Sequence, residues 1–300
     1  MANALRHLVL ILGDQLNLDA LALTDFDPTQ DAIWMAEVME ESTHVASSKQ
    51  RSTLFLSAMR HFAQTINDKA WPLHYTQLDD AYNTGTLAGE LNKAIQALKP
   101  KQLVMTAPGE WRVLQNLRSI AKKNNLSLEI HDDTYFFSTV RDFAEHAKGR
   151  KQLRQEFFYR ELRQKTGILM DGKKPIGGQW NFDEQNRKPY SKHGPGLIND
   201  PLSFEPDAIS REVFDFVERQ YPKHPGELAQ FAWPVTREQA LAALEHFVCH
   251  RLAQFGAHQD AMWKQTPFGW HALLASSLNL KLLNPREVIE QVLHAYQEQA

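Results

Sequence analysis

Three groups of residues have the types and spacing to do chemistry. The first is Gly13-Asp14-Gln15, directly behind the apolar run Leu8–Leu12. A carboxylate and open backbone amides at the end of a buried strand can take a polar ligand. Gly and Asp are also ordinary turn residues, and that reading stands beside the first. The second group is Glu37, Glu40 and Glu41, behind the apolar run Ala32–Ala36. Carboxylates there could hold a hydroxylated or imide-bearing ligand, or could favour the start of a helix. The third is residues 148–165, with Lys148, Arg150, Lys151, Arg154, Arg160, Arg163 and Lys165 against Glu156 and Glu161. Phe157, Phe158 and Tyr159 interleave with them. Cations at that density could neutralise phosphates while rings stack on bases. The alternative is a solvated helix whose rings face a core.

Other chemistries are missing their residues. Gly13 belongs to no GxGxxG fingerprint and no Walker loop. The histidines form no HExxH and no Cys/His ligand spacing, and the acidic cluster lacks the partners of a metal site. No GxSxG elbow occurs. Cys249 is the single cysteine, so the chain holds no intrachain disulfide and cannot supply the thiolates of an iron–sulfur cluster. Cysteine usage fits a reducing compartment. No apolar run nears the roughly 20 residues of a membrane helix, and Leu8–Leu12 is too short for a signal-peptide core. A cytoplasmic protein without membrane contact is expected. Net charge is −3, so a nucleic-acid surface would have to be a local patch.

The elements that must position these groups follow from periodicity. At 300 residues and 43% hydrophobic, the chain can bury a sizeable core. Leu8–Leu12, Ala32–Ala36, Pro72–Thr76, Gln102–Thr106 and Leu126–Ile130 read as strands. Between them, 52–65, 86–98 and 110–124 carry helical spacing. This alternation predicts an α/β domain over 1–138, a Rossmann-like doubly wound parallel sheet with ligands at the carboxyl ends of its strands. Residues 139–208 read as a basic interdomain helix over 148–165 and a long Gly/Pro-punctuated loop. Residues 209–300 read as all helix, over 209–220, 236–255, 271–278 and 285–297.

Taken in order, several segments resemble one family. They are LVLILGDQL (8–16), EVMEE (37–41), SAMRHF (57–62), PGEWRV (108–113), FFYRELRQKTGILM (157–170), GGQWNFDEQNR (177–187) and Asp260-Ala261-Met262. Each is short, but together they span nearly the whole chain. The chain resembles the bacterial 6-4 photolyase branch of the photolyase/cryptochrome superfamily.

That resemblance implies an antenna domain followed by a helical FAD domain. The implied activity is light-driven reversal of 6-4 photoproducts in UV-damaged DNA by electron transfer from reduced FAD. The implied antenna is 6,7-dimethyl-8-ribityllumazine, and family members also carry a four-iron cluster. By motif, Gly13, Asp14 and Gln15 would meet the lumazine, Glu41 would hold its ring, Phe55 would pack on it, and Arg51 would lie nearby. Lys151, Arg154 and Arg187 would face DNA. His271, Ser276, Ser277 and Asn279 correspond to the flavin-phosphate segment, with Ala272 and Ala275 where hydroxyls are usual and Lys281 at a usual glycine. The family continues well past Tyr296. The expectation is therefore a shortened chain without cluster ligands or stable FAD, inactive by itself. The rival readings are a chromophore- or nucleotide-binding module or photoreceptor fragment without catalysis, and a DNA-docking fragment.

Overall fold

The computed structural model describes residues 5–299. It divides into two compact units. The first comprises the chain up to Asp133, then Ser203–Leu241 and Ser276–Leu283. The second comprises Thr134–Leu202, Ala242–Ala275 and the chain from Asn284 onward.

The first unit is built on five parallel strands: β1 (His7–Leu10), β2 (Ala32–Ala36), β3 (Leu73–Thr76), β4 (Gln102–Thr106) and β5 (Ser127–His131). Their order is β3-β2-β1-β4-β5. This is the expected Rossmann-like α/β sheet. The central strands are continuous apolar runs because both of their faces are covered, and every residue of β2 is buried. At the edge, β5 exposes Ser127 and Glu129 and can be more polar. The short helix α1 (Met39–Thr43) follows β2, and α2 (Lys49–Asp68) follows it. Ser48 starts α2 by accepting from the Arg51 amide at 3.2 Å. Helix α3 (Leu87–Leu98) starts at Thr86, which accepts from the Gly89 amide at 3.1 Å, and α4 (Trp111–Lys123) follows β4. One core joins Leu8, Leu10, Trp34 and Met105 of the sheet to Leu91 of α3 and Leu117 of α4. Each such side chain contributes roughly 1.5–3 kcal/mol by leaving water.

In the second unit, α5 (Val140–Ala147) opens with a capping box between Thr139 and Asp142. Helix α6 (Gln155–Thr166) follows, then a hairpin of β6 (Met170–Asp171) and β7 (Lys174–Pro175). The single helix expected over 148–165 is therefore corrected. Gly149 lies at φ +72°, in the left-handed region, and residues 148–154 form no helix. In the first unit, α7 (Ala208–Gln220) is capped by Asp207 and packs along α2. The helix expected over 236–255 is two helices, α8 (Arg237–His250) and α9 (Leu252–His258), because Arg251 leaves helical geometry. The one expected over 271–278 shrinks to α10 (Ala275–Asn279), with Leu273 at φ +58° just before it. The last helix is α11 (Pro285–Gln299).

Candidate functional site

The strand order reverses at β1, whose neighbours are β2 on one side and β4 on the other. Loops leaving the carboxyl ends of such strands diverge and open a crevice between them. In the first unit that crevice is a cavity of about 600 Å³. Its apolar wall includes Leu12, Leu54, Phe55, Met59, Leu87 and Val113, and its polar wall includes Asp14, Glu41, Ser48, Arg51 and Ser52. A few converging polar groups in a mostly apolar cleft of this size suit a small planar ligand.

Gly13 is fixed by space. A Cβ there would meet the Met59 Sδ at 2.9 Å, so α2 approaches the loop only because no side chain intervenes. Asp14 is held next to Lys281, whose Nζ pairs with Asp133 at 2.6 Å. Burial pushes the Asp14 carboxyl above the usual aspartate range, and the Lys281 charge only partly opposes this. Gln15 is buried and points elsewhere: its amide donates to the Ala107 carbonyl at 3.2 Å, tying the β1 loop to the β4 loop. It does not line the cavity.

The three glutamates separate into two jobs. Glu37 is 1% exposed and accepts from Arg60 Nε at 2.9 Å and Nη2 at 3.0 Å, from the Leu78 amide at 2.8 Å and from the Tyr75 hydroxyl. Burial and then the Glu37 charge push the Tyr75 phenol well above its ordinary value. Every acceptor position of this carboxylate is used internally. Glu41 instead stands on the cavity rim, held by Arg112 at 2.9 Å. The same guanidinium reaches Glu40 and Glu110, each at 3.0 Å. Arg51, in the first turn of α2, lies over the Phe55 ring at 5.4 Å.

Of the lumazine residues that the family resemblance implies, Gly13, Asp14, Glu41, Arg51 and Phe55 meet in this cavity. The flavin-segment residues do not stay together. Ser276 and Asn279 line the same cavity, Ser277 is fully buried in the first unit, and His271 belongs to the second. Arg112, Ser48 and Ser52 were missed by sequence reasoning, although Arg112 lies inside the PGEWRV motif. The cavity also passes a test for a ligand. The Ser52 hydroxyl on its wall is buried without a hydrogen-bond partner among the described residues, a cost that a bound polar atom would remove.

In the second unit the basic segment is largely neutralised from within. Arg150 donates to Glu161 at 2.7 Å, Arg160 pairs with Glu156, and Lys165 pairs with Asp142 at 2.7 Å. Arg163 is buried and donates to the Ile168 and Leu169 carbonyls. The rings are used too, with Arg160 over Trp180 at 5.4 Å and Arg154 over Phe157 at 5.9 Å. Lys151, Arg154 and Arg187 are exposed and form no ion pair among the described residues. Among the described residues no three His, Cys, Asp or Glu side chains are grouped to hold a metal, and no helix is long and apolar enough to cross a membrane.

Comparisons with known proteins bear on this arrangement. A family model described as deoxyribodipyrimidine photo-lyase-related protein matches residues 9–233. A protein named (6-4) photolyase from Agrobacterium fabrum is 42% identical over 294 residues, which is 97% of this chain and 57% of that protein. An uncharacterized protein of Acanthamoeba polyphaga mimivirus is 20% identical over 195 residues, 61% of this chain and 95% of that protein. The crystal structure of a bacterial class III photolyase from Agrobacterium tumefaciens matches with a TM-score of 0.58 at 13% identity. That match covers 97% of this chain and 53% of that one, and it establishes the likeness of fold. The chain thus spans little more than half the length of these photolyases.

Proposed function

The chain belongs to the deoxyribodipyrimidine photo-lyase-related protein family, and from that membership we propose that its sheet unit holds the antenna chromophore of a light-driven DNA-repair flavoprotein. The chromophore is a ribityllumazine, and residues 1–138 serve as its domain. In the whole protein the reaction is reversal of 6-4 photoproducts in UV-damaged DNA, in the cytoplasm, by an electron from reduced FAD. Residues 139–208 serve as the DNA-facing interdomain segment, and 209–300 as the beginning of the helical flavin domain.

One observation carries the antenna reading. Gly13, Asp14, Glu41, Arg51 and Phe55 come from three separate chain segments, and all line one cavity at the switch point of the sheet. The residues present fit the group. Glu41, its charge compensated by Arg112, can accept from a ring imide, and Phe55 offers a face for the ring. Arg51 supplies a cation at the mouth, and the unpartnered Ser52 hydroxyl suits a polar atom of the ligand. When bound, such a chromophore absorbs light and passes the excitation to a flavin.

A second reading, a chromophore- or nucleotide-binding module without catalysis, is favoured by the completeness of this cavity within one unit. Both readings require the ligand to bind. Titration of the purified protein with 6,7-dimethyl-8-ribityllumazine is expected to give a saturable absorbance shift, lost or strongly weakened in Asp14→Ala and in Glu41→Ala. A protein that ignores the compound overturns the antenna reading. Blue-light repair assays of the whole protein with reduced FAD then separate enzyme from binding module.

A further inference from the structure

We propose that His246 and His250, in the last turn of α8, form a two-imidazole site for a divalent transition metal of the zinc and copper class. Both residues belong to the second unit, and neither has a part in the antenna or DNA readings above. They stand four positions apart, so one helical turn brings one side chain above the other. Leu244 and Phe247 turn into the core, while His246 is half-buried and His250 is exposed. The two rings meet with their centroids 4.7 Å apart and tilted by 56°.

That separation suits chelation. Two imidazoles that share one ion through bonds of about 2.0–2.1 Å stand with their centroids roughly 4.5–5 Å apart. The i, i+4 spacing is also the one that presents two histidine ligands on a zinc helix of HExxH type. Here Phe247, Val248 and Cys249 fill the intervening positions, so the glutamate that serves there as general base is missing. The spacing thus offers binding without that hydrolytic chemistry. No third His, Cys, Asp or Glu joins the pair among the described residues, which leaves the remaining coordination positions to water.

The pair is also available. Other histidines spend a ring nitrogen within the protein: His146 meets Glu161 at 2.7 Å, and His258 meets the Lys188 carbonyl at 3.0 Å. His246 and His250 face each other, and no hydrogen bond or ion pair engages either ring among the described residues. Arg251, next in the chain, turns inward and donates to the Gly269 carbonyl at 2.8 Å and the Asn199 carbonyl at 2.7 Å. Burial, then the charges of His250 and Arg251, hold the His246 ring below the ordinary histidine value, so it is a neutral ligand at pH 7. The carbonyl end of α8 adds a partial negative charge that favours a cation there.

The test is a calorimetric titration of the untagged protein with zinc chloride. His250→Gln should weaken zinc by at least the roughly tenfold that even an outer partner of a metal ligand costs, and His246→Gln should do the same. Cys249→Ser should leave the affinity unchanged. So should His294→Gln, which removes the exposed His294–Glu298 pair at 3.1 Å on α11. Because His250 is exposed, its variant decides the matter if His246→Gln fails to fold. With copper(II), electron paramagnetic resonance should show two coordinated nitrogens in the wild type and one in His250→Gln. Unchanged zinc affinity in His250→Gln, an equal loss in His294→Gln, or a wild type that binds no zinc overturns the site. None of these outcomes bears on the antenna reading.

Discussion

Two regions hold charged side chains beside aromatic rings, and they use them differently. At the carboxyl end of the sheet, Asp14, Glu41 and Arg51 converge from separate segments on a cavity that none of them fills. Between Lys148 and Lys165, four of the seven cations are spent within the unit: Arg150, Arg160 and Lys165 meet carboxylates, and Arg163 ties down two carbonyls. Charge density along a sequence therefore marks a site poorly. What distinguishes the first region is that Asp14 and Glu41 follow the ends of neighbouring strands, where the loops diverge and leave a crevice. In the second region the partners lie within one unit: Arg160 meets Glu156 one helical turn away, Arg150 reaches Glu161 from the loop before α6, and Lys165 reaches Asp142 on α5.

The carboxyl end of the sheet contains a control for this contrast in Glu37, a carboxylate fully consumed by its surroundings. Arg60→Met should cost about 3–5 kcal/mol, because Glu37 would stay buried with its charge uncompensated. Denaturant unfolding of the wild type and variant measures this. A loss below about 1 kcal/mol would mean that Glu37 protonates or reaches solvent easily, and that it is no different from Glu41.

The next test sharpens the contrast inside the basic segment. Lys151, Arg154 and Arg187 are exposed there and form no ion pair among the described residues, while Arg150 and Lys165 are paired. If the exposed three meet DNA phosphates, replacing all of them by Ala should lower the slope of log affinity against log salt by about 3, close to one per contact. Replacing Arg150 and Lys165 should change the slope by less than 1 and act mainly on the helix pair. Fluorescence anisotropy with UV-irradiated duplex across a salt series reads both. An equal effect from the two sets would erase the distinction.

How far the sequence led depended on how local each cause was. Strands β1, β2 and β4 were legible because burial on both faces leaves continuous apolar runs. Helices α3 and α11 were legible for similarly local reasons, from the patterning of 86–98 and 285–297. The break at Gly149 was not, since a glycine's left-handed φ is a choice made by the fold. The cavity residues at 13, 14, 41, 51 and 55 came from family resemblance and not from local pattern, which by itself favoured a turn at Gly13-Asp14 and a helix start at Glu37–Glu41. Arg112 reaches Glu41 across 71 positions, and Ser276 joins Asp14 across still more, so no window along the chain contains either pairing. Gln15 sits inside a matching motif yet braces two loops, a role decided by where β4 ends.

The smallest effect concerns Asp14, the cavity carboxylate that burial holds above its ordinary value. A carboxyl whose pKa is raised on folding makes the native state bind more protons than the unfolded chain. Stability is then fully present below the unfolded value of about 4 and falls as pH rises toward the folded value. Asp14→Asn removes that dependence and should make the protein more stable at neutral pH, with the gap closing in acid. Melting curves of both proteins between pH 4 and pH 8 follow the gap directly. The paired carboxylates of the second unit run the other way: Asp142 is held below the usual range, first by Lys165 and then by Thr139, and loses its contribution as pH falls. A wild type whose melting temperature tracks that of Asp14→Asn at every pH would place Asp14 among the satisfied carboxylates. A gap that opens with pH would identify it as a group kept at a cost to the fold, which is expected of a side chain retained for a ligand.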